Sequence, residues 1–311
     1  LTRNLGRVVT GPISIVLNLD VYSVRAPDQT GCRFNFDLVR TGVSHGSTSP
    51  RSRLGVDPQI FNIPSVKRSS FVRESNIRAA INNGTVVHNL TLTFPEPTIA
   101  EWAGYAGFEV LHLDMEHGVF DWESAEKMCR AADMHGMTCT ARIPNTETDT
   151  ILRTFDRGLM GILCPHVDNA EQAERIARAA RFGPEGERSF GTSRGRDYGM
   201  HDMTPAEYMA VFNREVTVAI QIETKNGVET INEILEVEGI DLITFGPQDL
   251  AQSFGHPGHP EHPEVVEAMS SVVEAVHARG RLMNSDVETG INLVQWLPDR
   301  LKDWLDESRK A

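Results

Sequence analysis

From Ser75 onward, short apolar runs alternate with stretches of helical periodicity. The apolar runs predict strands at Val86–Leu92, Glu109–Asp114, Thr138–Ile143, Gly161–Val167, Val216–Glu223, Asp241–Phe245 and Arg281–Val287. An eighth run, near Ile291–Leu297, is weak. The helical stretches between them carry start and stop residues. Asp121 is placed to cap a helix over Trp122–His135, which Gly136 ends. Thr146 is placed to cap a helix that Gly158 ends, and Asn169 to cap Ala170–Phe182. A further helix starts at Pro263 and runs to Arg279 before Gly280.

Strands that alternate with helices signal βα units and a parallel sheet. Seven or eight such units predict an α/β fold, a (β/α)8 TIM barrel, with its closure at the C-terminus left open by the weak eighth run. A doubly wound open sheet is the alternative. No GxGxxG follows the first strand, and no GxxxxGK[ST] occurs, which argues against dinucleotide and P-loop folds.

Residues 1–73 differ from the rest. They hold ten Lys and Arg against four Asp and no Glu, for a charge of +6, while residues 74–311 carry −19. The break near Arg73-Glu74 predicts an irregular or disordered extension over 1–73 and a barrel over 74–311. Ile13–Leu19 and Phe34–Val39 are candidate strands in the extension, and Ser44–Arg53 reads as disordered. An Arg-rich, acid-poor leader suits a transit peptide, but the four Asp and the lack of an amphipathic helix favour a divergent extension. A cytoplasmic location is therefore expected, or a mitochondrial one if 1–73 is a transit segment.

The net charge of −13 disfavours a nucleic-acid partner, and no apolar run approaches the ~20 residues of a membrane span. Cys32, Cys129, Cys139 and Cys164 form no CxxC pair and read as reduced and intracellular, with Cys139 and Cys164 packing in strands.

In parallel α/β proteins the ligand-binding groups sit at the C-terminal tips of strands. Here several tips carry charge. The second predicted strand runs into Asp114-Met115-Glu116-His117, the third ends at Arg142, and the fourth ends Cys164-Pro165-His166. The fifth presents Gln221 and Glu223 on one face, and the sixth leads into Gly246-Pro247-Gln248-Asp249. Glu223 and Asp249 suit a hard divalent cation, or else one caps a helix and the other forms a salt bridge. Arg142 suits paired hydrogen bonding to a substrate carboxylate, or a salt bridge. His117, beside Asp114 and Glu116, suits a general base, or an exposed loop histidine. His256, His259 and His262 resemble a metal cluster, but their prolines make the stretch a stiff loop before a helix.

Taken together, these motifs resemble the HpcH/HpaI class II aldolase family, the pyruvate-dependent 2-oxo-acid aldolases. The resemblance runs from about Asn76 to Asn284. It rests on Leu113-Asp114-Met115-Glu116-His117, Ala141-Arg142-Ile143-Pro144, Gly161-Ile162-Leu163-Cys164-Pro165, Pro184-Glu185-Gly186-Glu187-Arg188, Gln221-Ile222-Glu223-Thr224 and Gly246-Pro247-Gln248-Asp249-Leu250. It implies that Glu223 and Asp249 ligate a divalent metal, Mg2+ or Mn2+ first and Co2+ or Zn2+ next. It implies that Arg142, Gln221, Gly246 and Pro247 contact a 2-oxo acid, and that Arg142 stabilises the enolate. His117, oriented by Asp114, would move the proton, and Asp156 in Thr154-Phe155-Asp156-Arg157-Gly158 would support the site. The implied reaction cleaves a 4-hydroxy-2-oxo acid to pyruvate or a related 2-oxo acid and an aldehyde. A hexamer or trimer is implied if the divergent C-terminus permits it.

Two other readings are open. One is an acyl-CoA lyase of the citrate lyase β or malyl-CoA lyase type, which the acidic charge of 74–311 disfavours. The other is a barrel that binds a 2-oxo acid without catalysis. Of the five lysines, only Lys225 lies near a strand tip, so a Schiff-base mechanism has one candidate.

Overall fold

The computed structural model describes residues 73–310, together with two short strands, β1 (Val8–Thr10) and β2 (Ile13–Ile15). Residues 1–62 and 63–311 form separate compact units. In the first, β1 and β2 pair antiparallel, with Val8 opposite Ile15. The strand expected at Ile13–Leu19 is described only over Ile13–Ile15, while Phe34–Val39 and Ser44–Arg53 lie outside the described residues.

The second unit holds eight parallel strands: β3 (Val87–Leu92), β4 (Val110–Asp114), β5 (Thr138–Arg142), β6 (Gly161–Cys164), β7 (Thr217–Ile222), β8 (Leu242–Phe245), β9 (Leu282–Met283) and β10 (Glu288–Asn292). They form one sheet in the order β10-β3-β4-β5-β6-β7-β8-β9. Its helices are α1 (Asn76–Asn83), α2 (Pro97–Ala106), α3 (Trp122–Met134), α4 (Thr148–Asp156), α5 (Ala170–Ala180), α6 (Pro205–Glu215), α7 (Lys225–Glu229), α8 (Ile231–Ile234), α9 (Pro247–Ser253), α10 (Pro263–Ala278) and α11 (Leu293–Ser308). The unit is an α/β fold with a curled, TIM-barrel-like sheet. All six residues of β7 are buried, as expected of a parallel strand covered on both faces.

Local chemistry sets the element ends. Asp121 accepts the Ser124 N–H and receives the Ser124 side chain in return, a capping box for α3. Asn169 accepts the Gln172 N–H and caps α5. Thr146 does not cap α4. The Asn145 side chain accepts the Glu147 N–H at 3.0 Å, and this turn carries the chain on so that Glu147 becomes the N-cap.

The C-terminal strand also differs from expectation. It lies at Glu288–Asn292, and the apolar run Ile291–Leu297 mostly opens α11. The reason is local: the Asn292 side chain accepts the Val294 N–H and starts the helix, and Leu293, Leu297, Leu301 and Leu305 recur at helical spacing. The seventh expected strand shrinks to Leu282–Met283, because a 3-10 turn over Asn284–Asp286 follows at once. Only this turn and Val287 separate β9 from β10, the two ends of the sheet. A parallel crossover needs about a dozen residues, so β9 and β10 do not lie side by side through a helix as other neighbours do. One bent segment instead joins β8 at one end and β3 at the other.

The core lies between the sheet and its helices. Phe155 of α4 meets Phe212 of α6 edge-to-face at 5.4 Å, and Phe182 meets Phe212 at 5.4 Å. Cys129, Cys139 and Cys164 are free and buried. Inside the curl of the sheet lies a cavity of about 200 Å3, lined in part by Asn89, Thr91, His112, Thr140 and Glu288. His112 hydrogen-bonds Thr140 at 2.8 Å, and burial lowers its pKa from 6.5 to about 4. Glu288 accepts from Asn89 at 3.0 Å, and burial raises its pKa. No helix among the described residues is long and apolar enough to cross a membrane.

Candidate active site

Parallel strands put their C-terminal tips at one end of the sheet, so Asp114, Arg142, His166, Glu223 and the start of α9 meet there. Pairing in register sets Asp114 opposite Arg142. The guanidinium donates to Asp114 from Nε at 3.1 Å and from Nη2 at 2.5 Å, and its Nε also lies 3.3 Å from Glu116. Burial works against the Arg142 charge, but Asp114, Glu116 and Glu223 outweigh it and the pKa is raised. Burial likewise works against the Asp114 carboxylate, yet hydrogen bonds from Arg142 and the His117 N–H bring its pKa below the usual range.

Glu223 is the most enclosed acid of the group, at 2% exposure. Its Oε2 accepts from Gln221 at 2.6 Å, which puts Gln221 and Glu223 on one face as the alternation predicts. Its Oε1 accepts the His166 N–H at 2.6 Å. Burial, Glu116 and Asp249 raise its pKa, against the hydrogen bond and charge of His166. Glu116 and Asp249 therefore lie near enough to Glu223 for their charges to act on it. Asp249 sits exposed in the first turn of α9, whose N-cap Gly246 makes no side-chain cap, so Asp249 is not spent on capping. Gly246 must lack a side chain, because a Cβ there would lie 2.1 Å from Glu223 Oε2 and 2.5 Å from Gln221 Nε2.

These residues fit a divalent cation. A carboxylate whose pKa is raised by burial, and then by two acid neighbours, gains from a positive charge, and oxygen donors suit hard cations. Glu223 Oε1 faces both the N–H and the Nδ1 of His166, while Oε2 accepts from Gln221 and keeps a lone pair for an ion.

The other expected residues fall differently. The backbone of His117 donates to Asp114 at 3.1 Å, while its imidazole is exposed and stands 3.9 Å from Glu116. Asp156 ends α4 and accepts from Arg188 and Ser193, each at 3.1 Å, so its partners lie in the segment after α5 rather than at the strand tips. Pro247 is the first residue of α9. Lys225 opens α7 with its Nζ over Phe254, 5.7 Å from the ring centroid. His256, His262 and Glu264 bring ligand atoms within 4.8 Å of one another. They also satisfy each other, through His256 to Glu264 at 3.0 Å and stacked imidazoles, while His259 pairs with Glu261.

Glu116 and His166 are the residues for which sequence reasoning assigned no role. His166 Nδ1 lies 2.8 Å from Glu223 Oε1, and its Nε2 lies 3.5 Å from Glu116 Oε1. The available signal was their position, one just past a strand ending in acid and the other at a strand tip after Pro165. A separate groove of about 390 Å3, lined in part by Arg78, Asn82, Met203 and Glu215, includes none of these groups.

Several known proteins are similar to this chain. A 4-hydroxy-2-oxovalerate aldolase of Novosphingobium aromaticivorans is 35% identical over 183 residues, which are 58% of this chain and 68% of that protein. A hydroxypyruvate/pyruvate aldolase of Deinococcus radiodurans is 31% identical over 182 residues, 58% of this chain and 65% of that one. A 5-keto-4-deoxy-D-glucarate aldolase of Shigella boydii is 35% identical over 161 residues, 51% of this chain and 61% of that one. The matches thus span about two thirds of the relatives' own lengths or less. Among solved structures, an HpcH/HpaI aldolase from Desulfitobacterium hafniense superimposes with a TM-score of 0.70 at 25% identity, over 75% of this chain and 96% of that one. The profile of the HpcH/HpaI aldolase/citrate lyase family matches residues 91–298, and the chain belongs to that family of carbon–carbon lyases.

Proposed function

We propose that the protein is a divalent-metal-dependent aldolase that reversibly cleaves a 4-hydroxy-2-oxo acid to pyruvate, or a related 2-oxo acid, and an aldehyde. One observation carries this reading. A buried carboxylate, Glu223, stands with Glu116 and Asp249 at one end of the sheet, and the Arg142 guanidinium is fixed beside them. The names of the relatives support the reaction class.

Glu223 and Asp249 would hold the ion. When bound, it would supply the positive charge that binds the 2-oxo acid and favours its enolate. Asp114 takes the Nε proton and one Nη2 proton of Arg142, which leaves the second Nη2 proton and those of Nη1 for a substrate oxygen. A guanidinium held this way stabilises negative charge where it develops, with no reorganisation during the reaction. Cleavage requires loss of the 4-hydroxyl proton. The electron pair of that O–H bond then forms the aldehyde carbonyl, the C3–C4 bond breaks, and its electrons pass into the enolate. Protonation at C3 completes the 2-oxo acid. The exposed His117 imidazole, next to Glu116, would take and return the proton.

The test is a pyruvate-release assay over a panel of 4-hydroxy-2-oxo acids, with EDTA and with added Mg2+, Mn2+, Co2+ or Zn2+. Metal-dependent pyruvate from at least one is expected. Turnover that survives EDTA, with borohydride trapping of substrate on Lys225, would replace the metal reading with a Schiff-base one.

A further inference from the structure

We propose that His256, His262 and Glu264 bind a transition-metal ion of the Zn2+ class, which ties the end of α9 to the start of α10. The inference does not depend on the metal reading above, because the site uses none of Glu223, Asp249 or Arg142.

Three observations carry it. The first is proximity. The three side chains offer ligand atoms that all lie within 4.8 Å of one another, and no other trio of His, Cys, Asp or Glu among the described residues does so. His256 Nε2 stands 3.0 Å from Glu264 Oε2. Two donors about 2.1 Å from one ion in a tetrahedral arrangement stand about 3.4 Å apart, so this pair has nearly the spacing of two ligands. The His262 ring is stacked on that of His256, with centroids 3.5 Å apart and planes at 16°. Stacked rings cannot both aim a lone pair at one ion, so His262 must turn edge-on to bind. The turn gives up one long hydrogen bond, from the Glu264 N–H to His262 Nδ1 at 3.3 Å.

The second is rigidity. The segment repeats His-Pro three times, at His256-Pro257, His259-Pro260 and His262-Pro263, and proline fixes its own φ. The His259 N–H donates to the His256 carbonyl and the His262 N–H to the His259 carbonyl, each at 3.0 Å, so two successive turns bring His256 and His262 back together. The His256 N–H donates to the Ala251 carbonyl near the end of α9 at 2.8 Å, and His262 is the N-cap of α10. An ion here joins two helices through a backbone that is already set, and such preorganisation lowers the cost of binding. The third is donor type and access. Two imidazoles and a carboxylate leave a fourth tetrahedral position for water, a set that suits Zn2+ or Co2+, whereas Mg2+ prefers oxygen. The side chains of His256 and Glu264 are 28% and 53% exposed, so an ion reaches both from solvent.

The test uses the full-length protein, freed of metal by chelation and dialysis, as wild type and as Glu223→Gln, which removes one strand-tip acid. Zn2+ affinity is read by competition with a chromophoric chelator in excess Mg2+. A Zn2+ site is expected in both proteins, and X-ray absorption at the zinc edge of Glu223→Gln should count two imidazoles per ion. In that background His256→Ala, His262→Asn and Glu264→Gln should each weaken Zn2+ binding by at least about tenfold, since even partners outside a ligand set change metal affinity by about 10–100-fold. His262→Asn keeps a side chain able to cap α10, so its effect reads the loss of a ligand rather than of the helix start. No Zn2+ bound by Glu223→Gln, Zn2+ bound without two imidazoles, or an affinity unchanged in the His256 and His262 variants would each overturn the inference. The strand-tip site is read separately, by pyruvate release in Mg2+.

Discussion

Arg142 and Asp114 lie opposite each other in adjacent strands and share two hydrogen bonds, from Nε at 3.1 Å and from Nη2 at 2.5 Å. Strand register therefore fixes the guanidinium before any substrate arrives. Arg142→Ala should leave metal binding intact, because Arg142 donates no metal ligand. It should lower kcat by about 10²–10³-fold, the range for losing one preorganised donor to a developing anion. Steady-state kinetics beside a metal titration separates the two effects, and full activity in the variant would remove Arg142 from the mechanism.

Gly246→Ala tests how closely the start of α9 approaches Glu223. The added methyl would lie 2.1 Å from Glu223 Oε2, a distance that neither atom can keep. Glu223 must then turn away, and Gln221 with it. Metal affinity should fall by about tenfold or more, as for the loss of a supporting contact, while the far-ultraviolet circular dichroism spectrum stays that of the wild type. Calorimetric metal titration checks it; an unchanged affinity would show that Glu223 can serve from another rotamer.

Most of the sheet was legible because its strands are continuous apolar runs punctuated by caps such as Asp121 and Asn169. Glu223 with Gln221 followed from two-residue alternation alone. What the pattern could not give was anything set by a single hydrogen bond or by non-local register. Asn145 moved the start of α4, Asn292 turned an expected strand into α11, and the bent segment between β9 and β10 replaced an expected βα unit. At the site, a sequence shows that His166 follows Pro165 but not that its backbone is left-handed, so its meeting with Glu223 and Glu116 was out of reach.

Asp156 offers a test of support against chemistry. Its partner Arg188 is 2% exposed and packs over Phe212, Phe182 and Phe155, with its guanidinium carbon 4.2, 4.6 and 5.2 Å from the ring centroids. Removal of one member of a buried pair costs about 3–5 kcal/mol, and less here because Asp156 is 23% exposed. Asp156→Ala should therefore lower stability by about 2–3 kcal/mol, or roughly 5–10 °C in Tm for a domain of this size. Metal affinity should not change, since Asp156 touches none of Glu223, Glu116 or Asp249. Thermal melts and metal titration of the same variant decide it; a weakened metal site at unchanged Tm would bring Asp156 into the strand-tip cluster.

Two groups in the interior cavity should make stability depend on pH with opposite signs. Burial lowers the pKa of His112 from 6.5 to about 4. Between those values the unfolded chain binds the proton and the folded protein does not, so stability is complete above pH 6.5 and falls as pH drops toward 4. At about 1.4 kcal/mol per unit the loss is roughly 3 kcal/mol. Burial raises Glu288 above the usual carboxylate range, so its contribution is present at low pH and is lost as pH rises through its folded value. Urea unfolding from pH 4 to pH 8 resolves both. The stability of the wild type relative to His112→Asn should rise from pH 4 to 6.5, and relative to Glu288→Gln it should fall with increasing pH. At pH 7 the Glu288→Gln protein should be the more stable, because an amide keeps the hydrogen-bonding capacity toward Asn89 without a buried charge. Parallel slopes in wild type and His112→Asn would mean that the imidazole reaches water in the folded protein.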